Sequence, residues 1–247
     1  MGIEGLRALA AAGVVIYHTG QLASRPDELG AGPLAIALVP FAAGVTLFFV
    51  LSGFLLYRPF ARAVVRGEPF PSVRRYYRNR ALRILPAYWF ILAVAALVLQ
   101  STVVGFEPPN LITGALTDLG RLLKSVFLVQ NYSPSSIGTG ITPAWSLAIE
   151  VVFYLVLPLL AFAALLTQRR LRSHSLAHWS ILAPVLIMLM LGVLGKILAV
   201  YAVPGPLNSF NAGWHSVLQF SFLGHADVFA WGMAVAVLKV LHDEGLA

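Results

Sequence analysis

Residues 35–57 read AIALVPFAAGVTLFFVLSGFLLY, a run of 23 residues that contains no charged side chain. About 20 consecutive apolar residues allow one α-helix to cross the hydrocarbon core of a bilayer, and buried helices of soluble proteins are usually shorter. This stretch therefore predicts a transmembrane helix. The surroundings of the chain are therefore expected to be largely lipid and not water.

The composition of the whole chain agrees with a membrane protein. The 247 residues are 59% hydrophobic and 11% charged, whereas a soluble domain has about 25% charged residues. The sequence predicts an all-α polytopic membrane protein, a single domain over 1–247 with a bundle of about six transmembrane helices. These spans lie near 6–22, 35–57, 84–104, 143–166, 181–203 and 219–241.

The distribution of arginine predicts the orientation. The net charge is +7, which could indicate a nucleic-acid partner, but most of the cations stand in two short segments between apolar runs. That pattern follows the positive-inside rule, so both segments are predicted to be cytoplasmic, and with six crossings both chain ends are cytoplasmic too. The two groups are Arg58, Arg62, Arg66, Arg74, Arg75, Arg78, Arg80 and Arg83, and then Arg169, Arg170 and Arg172.

Several chemical possibilities are excluded or not expected. The chain has no cysteine, which rules out disulfides, thiolate metal sites and a cysteinyl-acyl intermediate within these residues. The histidines are too scattered for a metal-binding motif, and we expect no cleavable signal peptide.

Residues 116–130 show helical spacing of apolar residues interrupted by charges, and are predicted to lie as a helix in the outer interface. A crossing there would instead place the second arginine group outside.

Polar side chains inside spans are costly, by about 2.5–3.5 kcal/mol for a charge at mid-membrane, and therefore call for a reason. Arg7 and His18 share the first span, on one helical face and about 16 Å apart along the axis. A cation at one depth and a base with a pKa near 6.5 at another suit a long anionic substrate. Alternatively, Arg7 anchors the inner interface and His18 is an interfacial polar residue.

Glu150 is the most informative acid. Thr142 and Pro143 predict a helix start, which places Glu150 about 10 Å inside the fourth span. Ser146 and Tyr154 lie four residues to either side of it and share its face. An acid at this depth is a functional hypothesis by default. The alternative is a structural ion pair with Lys196 of span five.

Two further groups interrupt spans. The pair Ser52 and Gly53 falls inside span two, where small residues allow helices to approach closely, and packing is the interpretation that physics alone favours. His225 and Asp227 lie in span six, where either could pair with Lys196, or the two with each other.

Four motifs in chain order resemble the membrane acyltransferase 3 family. Residues 4–10, running on to Tyr17 and His18, are similar to its first-helix signature, in which ten residues separate an arginine from a histidine, here Arg7 and His18. Segments 48–56, 80–89 and 130–154 are similar to its motifs of the second, third and fourth helices. The likeness covers residues 1 to about 160, and beyond them only 229–234 adds to it.

The resemblance implies an enzyme that takes an acyl group, expected to be acetyl, from cytosolic acyl-CoA and places it on a hydroxyl of a carbohydrate or lipid-linked acceptor. Acyl-CoA would be a co-substrate, with no bound cofactor. Carried over, His18 would be the catalytic base and Glu150 would support the site or orient His18. The anionic acyl-CoA donor would be bound by Arg7, Arg80 and Arg83.

Ser52, Trp145 and Ser146 complete the predicted substrate-binding set, with the two serines as candidate donors to the oxyanion. Family members usually have more spans than six, so the domain is expected to be incomplete at its C-terminus. The expected location is a bacterial plasma membrane, with lipid as a partner and no nucleic acid. A proton-coupled transporter and an inactive fragment are the rival interpretations. The Arg7–His18 spacing together with Trp145–Glu150 favours the enzyme.

Overall fold

The computed structural model describes residues 2–23, 33–107, 110–170, 179–203, 205 and 213–246. Over these ranges the chain is mostly helical. The helices are α1 Ile3–Ala23, α2 Pro33–Arg66, α3 Val73–Ala93, α4 Leu119–Val126, α5 Trp145–Arg170, α6 Ala183–Ile197, α7 Trp214–Gln219 and α8 Ala226–Asp243. Short π-helical segments, Val94–Val98 and Leu198–Ala202, continue α3 and α6, and 3₁₀ turns lie at Gln130–Tyr132, Thr142–Ala144 and Trp179–Leu182.

Four of the described helical stretches are long and apolar enough to cross a membrane. They are Pro40–Arg66, Val73–Val98, Thr142–Arg170 and Trp179–Ala202, which correspond to predicted spans two to five. Helices α1 and α8 form where the first and sixth spans were predicted. Arg7 and His18 make α1 less apolar, and α8 carries Asp227, Lys239 and Asp243. Six crossings and two cytoplasmic ends therefore stay predictions.

Two predicted boundaries were wrong. The helix of the third span, predicted at 84–104, begins earlier, at Val73, where Ser72 caps its start by accepting a hydrogen bond from the Arg75 amide. It ends at Val98, and Gln100 follows in the left-handed region at φ 49°. The helix at the predicted sixth span, expected from 219, begins only at Ala226, after the separate helix α7.

The all-α prediction was also wrong in one place, where a β-hairpin follows α3. Strands β1 Thr102–Glu107 and β2 Asn110–Gly114 pair antiparallel. Val103 exchanges backbone hydrogen bonds of 2.9 and 2.8 Å with Gly140, which ties the hairpin to the segment before α5. Thr102, Val103 and Val104 are β-branched residues typical of strands. The apolar run continues through them without a break, so hydropathy alone merged the strand with the span.

The helix predicted within 116–130 is confirmed as the short helix α4. Asp118 caps it by accepting a hydrogen bond from the Arg121 amide at 2.7 Å. Two side chains of α3 fasten its other end, since the Tyr88 hydroxyl donates to the Ser125 carbonyl at 2.7 Å and Trp89 Nε1 donates to the Val126 carbonyl at 2.9 Å. Its place in the outer interface stays a prediction.

Helix α2 organises the bundle. It packs against α1, α5 and α8, and α8 in turn packs against α6. Two glycines bring the α2 and α8 backbones into contact, because a Cβ at Gly53 would clash with the Phe229 carbonyl and one at Gly232 would clash with the Val50 carbonyl. Small residues serve close helix packing in membranes, so the predicted packing role is confirmed for Gly53.

The main core lies where α2, α5, α6 and α8 meet. At its centre the rings of Phe49, Phe229 and Phe153 are stacked, with centroids 4.6 and 4.2 Å apart. Such aromatic pairs contribute about 0.5–1.5 kcal/mol each beyond the area they bury. One turn beyond Phe49 on α2, and one turn before Phe153 on α5, lie the residues of the candidate site.

Candidate functional site

The site is centred on Glu150 of α5 and Ser52 of α2. The Ser52 hydroxyl donates a hydrogen bond of 2.5 Å to Glu150 Oε1, and both side chains are half-buried. A bond from a hydroxyl to a carboxylate is short and strong because the acceptor is charged. The packing of α2 on α5 therefore supplies the partner of the predicted intramembrane acid.

Arg80 of α3 joins the same group. Its guanidinium carbon lies 5.9 Å from the centre of the Tyr154 ring, within the range of a cation–π contact. Tyr154 also interacts with the Glu150 carboxylate, one helical turn away. Tyr76 lies one turn before Arg80 and contributes a buried hydroxyl. We refer to Ser52, Tyr76, Arg80, Glu150 and Tyr154 as the Glu150 cluster.

Part of the hydrogen-bonding capacity of the Glu150 cluster is unused. Among the described residues, Arg80 Nε and the Tyr76 hydroxyl are buried and have no hydrogen-bond partner. Burying a donor without a partner costs about 1–3 kcal/mol, and more for a charged group. The cluster therefore offers two donors to an oxygen that enters from outside the chain, such as a carbonyl or phosphate oxygen.

The indole of Trp145 stands in an aromatic frame at the start of α5. Its ring lies 5.2 Å from Phe220, 5.4 Å from His225 and 6.4 Å from Phe49, measured between centroids. These ring contacts hold the first residues of α5 in place. They thereby set the position of Glu150 along α2. Trp145 is thus placed next to the cluster that carries the predicted acid.

Sequence reasoning did not identify Asn131 as a site residue, although it lies in a segment that resembles the family. Asn131 is fully buried, and its Nδ2 donates to the carbonyls of Trp145 and Phe220, both at 2.8 Å. Carbonyls only accept hydrogen bonds, so the amide nitrogen must face both of them. Asn131 thereby joins the start of α5 to the segment before α8. A signal for it was its place between Gln130 and Tyr132, in the segment that resembles the family's fourth-helix motif.

His225 was a weak candidate, and the structure gives it a defined place. Its ring lies edge-on to Phe49 at 5.6 Å and against Trp145, so it packs between α2 and α5 one turn from Ser52. Its Nδ1 lies 3.3 Å from the Ser221 carbonyl. The sequence did not predict this position, because it depends on aromatic neighbours from two other helices, Phe49 of α2 and Trp145 of α5.

The ion pair of α6 and α8 corrects one alternative. Lys196 Nζ pairs with Asp227 Oδ2, and the absence of a side chain at Gly192 makes room for the Asp227 carboxylate. The alternative that Glu150 pairs with Lys196 was therefore wrong. The prediction that Asp227 could pair with Lys196 is confirmed.

Arg7 and His18 lie on one uninterrupted helix, α1, and both are half-buried. His18 Nδ1 lies 2.8 Å from the Val14 carbonyl. Because that oxygen only accepts, the Nδ1 nitrogen carries the proton, and the neutral ring presents the lone pair of Nε2. In this tautomer Nε2 is the nitrogen that can act as a general base.

The structure does not bring His18 and Glu150 together. Helices α1 and α2 run antiparallel, with Gly20 against Leu38 and Ala10 against Gly44. Ser52 lies 14 positions beyond Leu38, about 21 Å along a helix. Glu150 has Ser52 as its partner, and the orientation of His18 by Glu150 stays a prediction.

The remaining predicted residues are placed as follows. The Ser146 hydroxyl donates to the Pro143 carbonyl at 3.1 Å within its own turn, and Arg83 is exposed on α3. The hydroxyl protons of Ser52 and Ser146 are both engaged, so in this arrangement neither serine is free to donate to an oxyanion. Arg80 Nε has no hydrogen-bond partner among the described residues. Within the described ranges, no three His, Asp or Glu side chains form a group that could hold a metal ion.

Comparison with known proteins gives a match over nearly the whole chain. The acyltransferase 3 family model, described as an acyltransferase domain, matches residues 2–236. The O-acetyltransferase OatA of Staphylococcus aureus strain NCTC 8325 is 28% identical over 239 residues, which cover 93% of this chain and 34% of that protein. OatA of strain COL gives the same values. The chain thus spans about a third of the length of these curated relatives. No solved structure matches it.

Proposed function

We propose, since the chain belongs to the acyltransferase 3 family, that it is a membrane O-acyltransferase which moves an acyl group, acetyl by preference, from acyl-CoA to a hydroxyl. The acceptor is a carbohydrate or a lipid-linked molecule, and the enzyme lies in a bacterial plasma membrane. The observation that carries this proposal is the Glu150 cluster, an acid and an arginine with free donors inside the helical bundle. The names of the relatives support acetyl as the group transferred.

In the proposed reaction, Nε2 of His18 takes the proton of the acceptor hydroxyl. The acceptor oxygen then attacks the thioester carbonyl carbon, and the tetrahedral intermediate collapses with cleavage of the carbon–sulfur bond. The leaving thiolate receives the proton from His18, so that free CoA and the acylated acceptor are the products. General-base assistance of this kind is worth about 10² to 10⁴ in rate.

The donor is bound by arginines. Arg80 combines partial burial with an unused Nε, so it can donate to an oxygen of the bound donor at a distance from the thioester. Planar guanidinium donors suit phosphate and carboxylate oxygens. Arg7 and Arg83 bind the phosphates of acyl-CoA. The distance between the Glu150 cluster and His18 suits the length of this donor, which would extend along α1 and α2.

Glu150 acts in this proposal as a positioning residue. Its carboxylate accepts the Ser52 hydrogen bond and interacts with Tyr154, on which Arg80 lies. A negative charge here offsets the cost of placing the Arg80 cation inside the bundle. Loss of Glu150 would therefore displace Arg80 and weaken donor binding.

The test is release of free CoA from acetyl-CoA by the purified chain in lipid, with a mixture of sugar acceptors. We expect release to depend on the acceptor and to fall at least a hundredfold in His18→Ala. Thr19→Ala is the matched control, because the Thr19 hydroxyl donates to carbonyls of its own helix, those of Val15 at 2.7 Å and Ile16 at 3.3 Å. Wild-type release by His18→Ala would overturn the role of His18.

A second candidate function, proton-coupled transport, is favoured by one observation, the Lys196–Asp227 pair between α6 and α8. Intramembrane ion pairs often mark proton or substrate pathways. Proteoliposomes with a proton gradient distinguish the two functions. A transporter dissipates the gradient without consuming acyl-CoA, and loses this ability in Asp227→Asn, whereas an acyltransferase consumes acyl-CoA without needing the gradient.

A further inference from the structure

A cavity of about 270 Å³ lies where the end of α2 meets the end of α8, away from the Glu150 cluster. Three arginines of α2 line one side of it, at successive turns of the helix. Val240 and Asp243 of α8, and Glu244 directly after it, line the other side. The lining residues are Arg58, Arg62, Arg66, Val240, Asp243 and Glu244.

The three arginines are spaced four residues apart, so they lie in one row on the surface of α2. Like charges in such a row destabilise a helix unless other groups compensate them. Two are compensated within the chain. Arg58 Nη2 lies 3.4 Å from Asp243 Oδ2, and Arg66 Nε donates to Glu244 Oε1 at 2.6 Å.

Arg62, the middle arginine of the row, differs from its neighbours. Its side chain is exposed, and among the described residues it has no acidic partner and no hydrogen bond. The two acids of the lining are already engaged with Arg58 and Arg66, and Asp243 also accepts a hydrogen bond from Lys239 at 2.6 Å. Outside the lining, Glu68 also pairs with Arg66 at 3.4 Å. Together with Lys239 and the lining residues this makes four cations and three anions, and the cation without an acidic partner is Arg62.

We propose that this cavity binds a phosphate ester anion. Carboxylates hold the two outer arginines in place. The guanidinium of Arg62 is therefore left for the ligand, and the remaining N–H donors of Arg58 and Arg66 lie on either side of it. Forked guanidinium donors match phosphate oxygens. Two sources carry this chemistry at a predicted cytoplasmic surface, the phosphates of the CoA donor and the headgroup of an anionic lipid. Only the first source rests on the proposed function.

The first arm of the test measures binding of adenosine 3′,5′-bisphosphate, a phosphate-bearing fragment of CoA, to the purified chain in phosphatidylcholine nanodiscs by calorimetry. We expect Arg62→Gln to weaken binding by about tenfold or more, the effect of losing a charged hydrogen-bonding group. Arg78→Gln is the matched control, since it removes an exposed arginine of α3 outside the cavity and should leave affinity unchanged.

The second arm measures the enrichment of fluorescent phosphatidylglycerol around the chain in mixed nanodiscs. Enrichment that is lost in Arg62→Gln and kept in Arg78→Gln identifies the lipid headgroup as the ligand, whereas the same pattern for the bisphosphate identifies the donor. Binding of neither probe, or binding of both that Arg62→Gln does not change, overturns the proposal. Arg62→Lys, which keeps the charge without the fork, should retain part of the affinity.

This test is independent of catalysis. His18→Ala should bind the bisphosphate as the wild type does, because His18 is remote from the cavity. A chain without transferase activity can therefore still confirm the phosphate site, and an active chain whose binding ignores Arg62 overturns only the site.

Discussion

The two sides of helix α2 differ in how they are packed. On one side, α8 and α5 bury Phe49 and Phe60 against a shared core, with backbone contact at Gly53. On the other side, α1 makes its extensive described contacts with α2 alone. Exposed apolar residues such as Leu9 and Val15 cover much of the rest of α1.

This difference divides the predicted site into two parts. The Glu150 cluster is part of the packed core, so its geometry is fixed when α2, α3 and α5 come together. His18 is positioned by α1, whose described packing rests on one helix. Changes in the first part should therefore affect stability and activity together, whereas changes at His18 should affect activity alone.

The largest expected contrast is between Glu150→Ala and His18→Ala. Removing the Glu150 carboxylate leaves the Ser52 hydroxyl and the nearby Arg80 cation uncompensated, and should cost about 3 kcal/mol of stability. His18→Ala removes only a bond to its own helix and should leave the melting temperature unchanged. Thermal unfolding followed by tryptophan fluorescence in detergent measures both. Equal melting temperatures for the two variants would contradict the division of the site.

A second contrast tests whether the α2–α8 contact is the rigid one. Gly232→Ala places a Cβ against the Val50 carbonyl, a backbone atom that cannot rotate away. We expect a loss of about 2 kcal/mol, typical of overpacking a tight contact. Gly2→Ala is the control, because open space surrounds that position. A melting temperature of Gly232→Ala equal to that of the control would show that the two helices can separate without cost.

The start of α5 gives a third contrast, between a buried amide and an exposed one. Asn131→Asp replaces the Nδ2 donor with an acceptor that faces the carbonyls of Trp145 and Phe220. Two lost hydrogen bonds to buried carbonyls should cost about 1.5 kcal/mol. Asn79→Asp makes the same chemical change at an exposed position of α3. We expect only Asn131→Asp to lower the melting temperature, and with it the activity, because Glu150 moves with α5.

Much of this architecture could be predicted from the sequence because apolar runs and helical spacing are local signals. Spans two to five, the short helix α4 and the shared face of Glu150 and Tyr154 follow from them. The hairpin could not be predicted, since Val103 and Val104 extend an apolar run that hydropathy assigns to a helix. Their pairing with β2 and Gly140 depends on contacts across the sequence.

The partners of the site residues were less predictable than the residues themselves. Glu150 stands out as an intramembrane acid, but whether Ser52 or Lys196 is its partner depends on which helices touch. The sequence offered only Lys196 as an alternative partner, whereas the structure pairs Lys196 with Asp227, beside Gly192, and pairs Glu150 with Ser52. The role of Asn131 likewise depends on two carbonyls that are distant in sequence.

The smallest contrast concerns the exposed end of the α2–α8 contact, at Asp243. The hydrogen bond from Lys239, with the charges of Lys239 and Arg58, lowers the pKa of Asp243 below its usual value. The folded state therefore favours the carboxylate, and the stabilisation is present above about pH 4 and lost as the pH falls through the lowered value.

The melting temperature of the wild type should exceed that of Asp243→Asn slightly at pH 7, and this difference in melting temperature should disappear in acid. Because these charges are exposed, 1 M salt should also close the gap at pH 7. A gap that persists at low pH would mean that the Asp243 side chain stabilises the α2–α8 contact by packing and not by charge.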